Sequence, residues 1–120
     1  MKQFGNRTLD IFQEINMIPR NSEKEKAVSD YIKAWAENLS LEVYQDDMSN
    51  LIIRKPATAG YENSPSVMLQ AHMDMVCEKM PDSTHNFNTD PIILKCEGDW
   101  VDSAVGTSIG ADNAIGVATC

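Results

Sequence analysis

Histidine, cysteine and positive charge are all in short supply in this chain. Of 120 residues only His72 and His85 carry an imidazole. The cysteines are Cys77, Cys96 and Cys120, odd in number and without C-x-x-C spacing, which argues against both a disulfide framework and a zinc ribbon. Ten basic side chains stand against 18 acidic ones, a net charge of −8 with no basic run or stripe. Nucleic acid and anionic membrane are therefore poor partners. No apolar run is long enough to span a bilayer, and Met1-Lys2-Gln3-Phe4-Gly5-Asn6-Arg7 lacks the apolar core of a signal peptide. These absences together point to a reducing cytoplasm. The acidic excess suits a site that collects cations, and surface solubility explains it equally well.

What is present is a chain that can fold. Hydrophobic residues make up 42%, enough for a core and too many for a disordered segment. The length corresponds to one domain or part of a larger one. Leu9, Ile11, Phe12, Ile15 and Ile18 recur at helical spacing, with Asn6 or Thr8 as the cap and Pro19 as the stop. A second helix is expected to open at Ser22, where Glu25 three residues on completes a capping box. Ala27, Val28, Tyr31, Ile32, Trp35 and Leu39 line one side of it, and this periodicity makes Trp35 a packing residue rather than part of a cofactor site. Leu41 to Gln45 and Leu51 to Arg54 read as a hairpin around the turn-like Asp46-Asp47-Met48-Ser49-Asn50, whose two aspartates are expected in solvent. Pro56 to Pro65 is a loop. Cys77 to Pro91 is polar and irregular, of a length that is usually functional or mobile. A second strand pair, Ile92 to Lys95 and Trp100 to Ser103, flanks Glu97-Gly98-Asp99, and a helix begins near Asp112.

The stretch with chemical content is Leu69-Gln70-Ala71-His72-Met73-Asp74-Met75-Val76. Val67, Met68 and Leu69 form a continuous apolar run, as in a strand covered on both faces. Alternation along that strand puts His72 and Asp74 on one side and turns Met73 away. A metal-binding imidazole is commonly oriented by a nearby carboxylate, and open α/β sheets place ligands at strand ends. A lone His-x-Asp is nevertheless more often structural. Asp112 sits where the Gly-rich loop Gly106-Thr107-Ser108-Ile109-Gly110 runs into the last predicted helix. Strands mixed with helices imply an α/β layer fold, and a final helix with no returning strand reads as a chain cut short.

The segment Leu69 to Lys79, taken with Gly106 to Gly116, closely resembles the aminoacyl-histidine dipeptidases, members of the two-metal aminopeptidases, dipeptidases and deacylases. Ile18-Pro19-Arg20 with Ser22 and Glu25, Asn50, Lys55-Pro56-Ala57-Thr58 with Gly60 and Glu62, and His85 with Asp90-Pro91-Ile92 also fall where that family has similar residues. Met75 and Asn113 favour this branch over related tripeptidases, which tend to have threonine and a second acidic residue there. Glu23, Ala71 and Ala114 depart from the family pattern, where glycine is usual or common at each position. Of these, Ala114 has the means to shift the start of the helix and Asp112 with it.

The resemblance implies an α/β fold: residues 1–120 as the N-terminal part of a mixed-sheet, helix-flanked metallopeptidase catalytic domain, without its lid and dimerisation domain. It implies His72 as a ligand of one metal, Asp74 as the catalytic-site carboxylate that orients that histidine, and Asp112 as the aspartate bridging two divalent ions. Zinc is the first expectation for those ions, manganese or cobalt the alternatives. Such ions lie about 3.5–4 Å apart and share a hydroxide that attacks a polarised carbonyl. The substrate would be a dipeptide, Xaa-His by preference, and the parent a cytoplasmic protein, as a homodimer if it follows its relatives. The Asp112–Asn113 peptide bond is expected to be cis. His85 is expected to be structural or substrate-adjacent. The family's general base and remaining ligands have no counterpart among these residues, so the isolated chain should be inactive. A tripeptidase, an N-acyl amino acid deacylase and a non-enzymatic truncated remnant are the alternatives.

Overall fold

A computed structural model of the chain describes residues 5–120. Helix α1 spans Arg7–Asn16 and is capped by Asn6, whose side-chain oxygen accepts from the amides of Thr8 and Leu9. That satisfies two of the amides which a helix start leaves without partners. Helix α2 spans Lys26–Asn38, strand β1 Glu42–Gln45 and strand β2 Leu51–Arg54. Strands β3 and β4 run Leu94–Glu97 and Trp100–Ser103, and helix α3 closes the order at Ala111–Thr119. The mixture of helices and strands is the α/β class expected from the sequence.

Both expected hairpins form. β1 pairs antiparallel with β2, from Glu42 opposite Arg54 to Gln45 opposite Leu51. β3 pairs with β4, from Leu94 opposite Ser103 to Glu97 opposite Trp100. Asp46 does more in its turn than the expected solvation. Its carboxylate accepts from the Met48 and Asn50 amides and from Asn50 Nδ2, closing the loop on itself. The first hairpin is fastened to α2 by the buried Ser29, whose hydroxyl donates to Ser49 O and accepts from Gln45 Nε2, both at 2.7 Å.

The core joins α1, α3 and the chain between them. Phe12 and Ile15 of α1 are 1% exposed, Ala114 of α3 is fully buried, and Val28, Met75, Ile92, Leu94 and Ala118 complete the cluster. Alanines on α3 let it approach α1 closely. Two amides cross between segments to fix the layout: Met75 N donates to Arg20 O at 3.0 Å, and Ile92 N to Asn16 O at 2.9 Å.

Two expectations need correction. The run from Val67 is not a buried strand: Val67, Met68 and Leu69 are 83%, 88% and 65% exposed, and between Val67 and Val76 only Met75, bridged in parallel to Asn21, has strand-like pairing. A strand buried on two faces needs neighbours on both edges, and the described residues supply none beside 67–70. Nor does α2 open at Ser22. Glu23 turns left-handed at φ 70°, its amide donates to Glu25 Oε1, and the helix begins four residues later than expected, at Lys26.

Candidate metal centre

Three side chains from two distant segments meet at one end of α3. His72 Nδ1 faces Asp74 Oδ1 at 3.1 Å, and His72 Nε2 faces Asp112 Oδ1 at 3.1 Å. The sequence thus places His72 and Asp74 correctly relative to each other, although the strand meant to carry them is an unpaired extended segment. The alternation survives locally: Met73 and Met75 turn inward, with Met75 at 3% exposure in the core.

Asp112 reaches His72 because of the backbone just ahead of it. Gly110 sits at φ 59°, a conformation that side-chain-bearing residues rarely adopt, and caps α3. Asp112 (φ −88°, ψ 102°) and Asn113 (φ −125°, ψ 32°) are not helical, and the Asp112–Asn113 peptide bond is cis, as the family resemblance implies. Asn113 Oδ1 accepts from Gly116 N at 3.2 Å, and a Cβ on Gly116 would collide with that amide group. Ala114, the departure from the family pattern, is fully buried, and its amide donates to Gly110 O at 3.2 Å. The substitution leaves Asp112 within reach of His72.

The fourth member was read from sequence as a helix cap. Ser22 Oγ donates to Asp74 Oδ2 at 2.6 Å, so Asp74 spends one oxygen on the hydroxyl and the other on the imidazole. The Ser22 hydroxyl, followed by the histidine contact, holds the Asp74 carboxyl below its ordinary value. His72 is pushed the other way, upward, chiefly by its hydrogen bond to Asp112, with burial opposing and the Asp74 contact adding to the rise. Both ring nitrogens face acceptors, so the doubly protonated imidazolium satisfies both contacts. A cation placed between Nε2 and Asp112 would substitute for the Nε2 proton and leave Nδ1–H on Asp74.

The donor set suits a divalent ion of borderline softness: an imidazole nitrogen whose second nitrogen is oriented by a carboxylate, and a carboxylate whose side chain is 96% exposed. His72 and Asp112 are two donors, and no cluster of three or more histidine, cysteine or acidic side chains able to hold a metal exists among the described residues. Four donors are usual around zinc. Two donors would be half of that number.

The other candidates lie elsewhere. His85 is 6% exposed, packs edge-on against Phe87 at 4.7 Å, and has no partner for Nε2 among the described residues. Burial pushes the Cys77 thiol upward, with Arg20 opposing, so it is not an activated nucleophile. Cys96 and Cys120 are exposed and unbridged. No described helix is long and apolar enough to cross a membrane.

Comparison with known proteins agrees with the resemblance carried by the motifs. Over 110 residues, 92% of this chain, it is 48% identical to the cytosol non-specific dipeptidase of Escherichia coli (strain K12), and this covers 22% of that protein. The fold matches the crystal structure of aminoacylhistidine dipeptidase from Vibrio alginolyticus with a TM-score of 0.90 and 44% identity, over 95% of this chain and 23% of that one. No family model matches. In sequence and backbone the chain is thus similar to part of these two dipeptidases, and it spans less than a quarter of their length.

Proposed function

We propose that this chain is the N-terminal segment of the catalytic domain of a cytoplasmic metallodipeptidase, cleaving Xaa-His and similar dipeptides. The observation that supports it most is the His72 geometry: one ring nitrogen on a carboxylate that orients it, the other aimed at a second, exposed carboxylate. In this reading His72 and Asp112 would hold divalent metal, zinc in the first place. When bound, such ions polarise a peptide carbonyl and supply hydroxide at neutral pH. The chain's own residues do the positioning. Ser22 holds one oxygen of Asp74, Asp74 fixes the His72 ring and its tautomer, and the ring presents Nε2 toward Asp112. No group here is placed as general base, and two protein donors do not complete a zinc shell. The isolated chain should therefore not hydrolyse dipeptides.

The test is a graft. These residues, substituted for the matching segment of the Escherichia coli relative, should support chelator-sensitive hydrolysis of an Xaa-His dipeptide, and His72→Ala or Asp112→Ala in the graft should abolish it. A folded graft whose activity survives both substitutions would overturn the assignment, and metal-dependent cleavage by the pure 120-residue chain would overturn the expected inactivity of the isolated chain.

A further inference from the structure

Arg20 is the largest of the fully buried side chains, 1% exposed, and it makes no salt bridge among the described residues. A guanidinium in that position must be neutralised by dipoles, and its partners are informative. Nη2 donates to Asn16 Oδ1 at 2.9 Å, to Gly110 O at 3.2 Å and to Ile109 O at 3.3 Å, while Nη1 reaches Met73 O at 3.4 Å. Met73 lies between His72 and Asp74, and Gly110 lies two residues before Asp112. One planar, rigid group thus touches both segments that deliver the site, next to the residues that matter.

We propose that Arg20 is a positioning residue whose buried guanidinium ties the His72–Asp74 segment to the Asp112 loop and thereby sets the His72–Asp112 separation. The inference rests on the metallodipeptidase reading for its purpose, but not for its geometry. Three further observations support it. The Arg20 carbonyl accepts from Met75 N, so backbone and side chain of one residue grip the same segment at two points. Gly110 O accepts from Arg20 and from Ala114 N together, which couples the guanidinium to the first turn of α3. A Cβ at Gly110 would strike the Arg20 guanidinium and approach Met75 Cβ to 2.9 Å, so the absence of a side chain there leaves room for the guanidinium. Burial draws the Arg20 pKa down to about 10, which leaves it cationic at neutral pH. The same two segments are also laced further out, where Met80 N donates to Gly106 O and Ser108 N to Glu78 O. That ladder aligns the segments but ends short of both His72 and Asp112.

The experiment compares the 120-residue chain with Arg20→Met and Arg20→Lys, and with Asn50→Ala as a control that weakens the distant hairpin turn. Two quantities are read by NMR: the through-space cross-peak between the His72 ring and the Asp112 methylene, without metal, and the zinc concentration that half-shifts the His72 ring signals. Arg20→Lys keeps a cation but donates from a single atom on a flexible stem instead of from a rigid planar fork, so it carries the test if Arg20→Met does not fold. The expected result is loss of the cross-peak in either folded arginine variant, a zinc Kd raised by about tenfold or more, and an unchanged cross-peak in Asn50→Ala. An intact cross-peak in a folded arginine variant overturns the inference, as does equal loss in Asn50→Ala. Should the parent chain keep the cross-peak yet ignore zinc, the metal reading fails, and the cross-peak alone then decides the role of Arg20.

Discussion

Replacing Ser22 by alanine separates two accounts of one hydroxyl. If Ser22 were the helix cap that the sequence suggests, its loss would cost about 1 kcal/mol at any pH, since the cap donors are neutral amides. In the structure the hydroxyl instead donates to Asp74 Oδ2 at 2.6 Å. Hydrogen bonds to charged groups contribute about 1.5–3 kcal/mol when well buried. The Asp74 side chain is 34% exposed, so water can replace the lost donor, and the expected cost falls to about 1 kcal/mol, or about fivefold in the folding equilibrium. The pH dependence distinguishes the two accounts. Asp74 has its folded pKa depressed below the ordinary 3.8, with Ser22 the first cause. Its stabilising contribution is therefore present above 3.8 and lost as pH falls through the folded value. Urea unfolding should show Ser22→Ala destabilised at neutral pH and level with the parent once Asp74 is protonated. Ser22→Thr, which keeps the hydroxyl at an exposed position, should restore most of the difference. A penalty of the same size at both pH values would refute the Asp74 partnership and return Ser22 to capping.

Other expectations follow from the core and from α1 against α2. Phe12→Ala, at a 1% exposed position between α1 and α3, should cost about 3–5 kcal/mol in urea unfolding, and a loss below about 1 kcal/mol would contradict the packing described. Tyr31 donates to Glu14 Oε2 at 2.6 Å, and burial followed by that carboxylate raises its phenol to about 12. Because the folded value lies above the ordinary 10.0, its contribution holds below pH 10 and disappears as pH climbs through about 12. Ultraviolet titration of phenolate should show one late-ionising tyrosine that moves to lower pH in Glu14→Gln; an unmoved transition would rule out the pairing.

Local order was legible where local physics sets it. Asn6 stands three residues before Leu9, the first residue of the apolar face, and it caps α1. The two hairpins follow from alternation and from turn residues, and Asp46 even anchors its own turn. The meeting of His72 with Asp112 was legible only through the paired motifs, because no spacing within either segment says that they converge. Ser22 misled for a physical reason: a serine three residues before a glutamate is a capping box by pattern, and only the left-handed Glu23 releases the hydroxyl to Asp74. Val67 to Leu69 misled because an apolar run reports a demand for cover, not its supply. Arg20 went unread because a single basic residue after Ile18-Pro19 gives no sign that it will be buried among carbonyls from two other segments. Its role is set by tertiary contacts that sequence periodicity does not encode.

In the proposed site His72 and Asp112 hold a divalent cation while Asp74 orients the imidazole. Crystals of the chain grown with zinc, with anomalous scattering recorded at the zinc edge, test it most directly. The expected result is a peak bonded to His72 Nε2 and an Asp112 oxygen, with His72 Nδ1 still on Asp74 and water completing the shell. Zinc found only at His85, the cysteines or lattice contacts, with His72 and Asp112 still facing each other without it, would contradict the account.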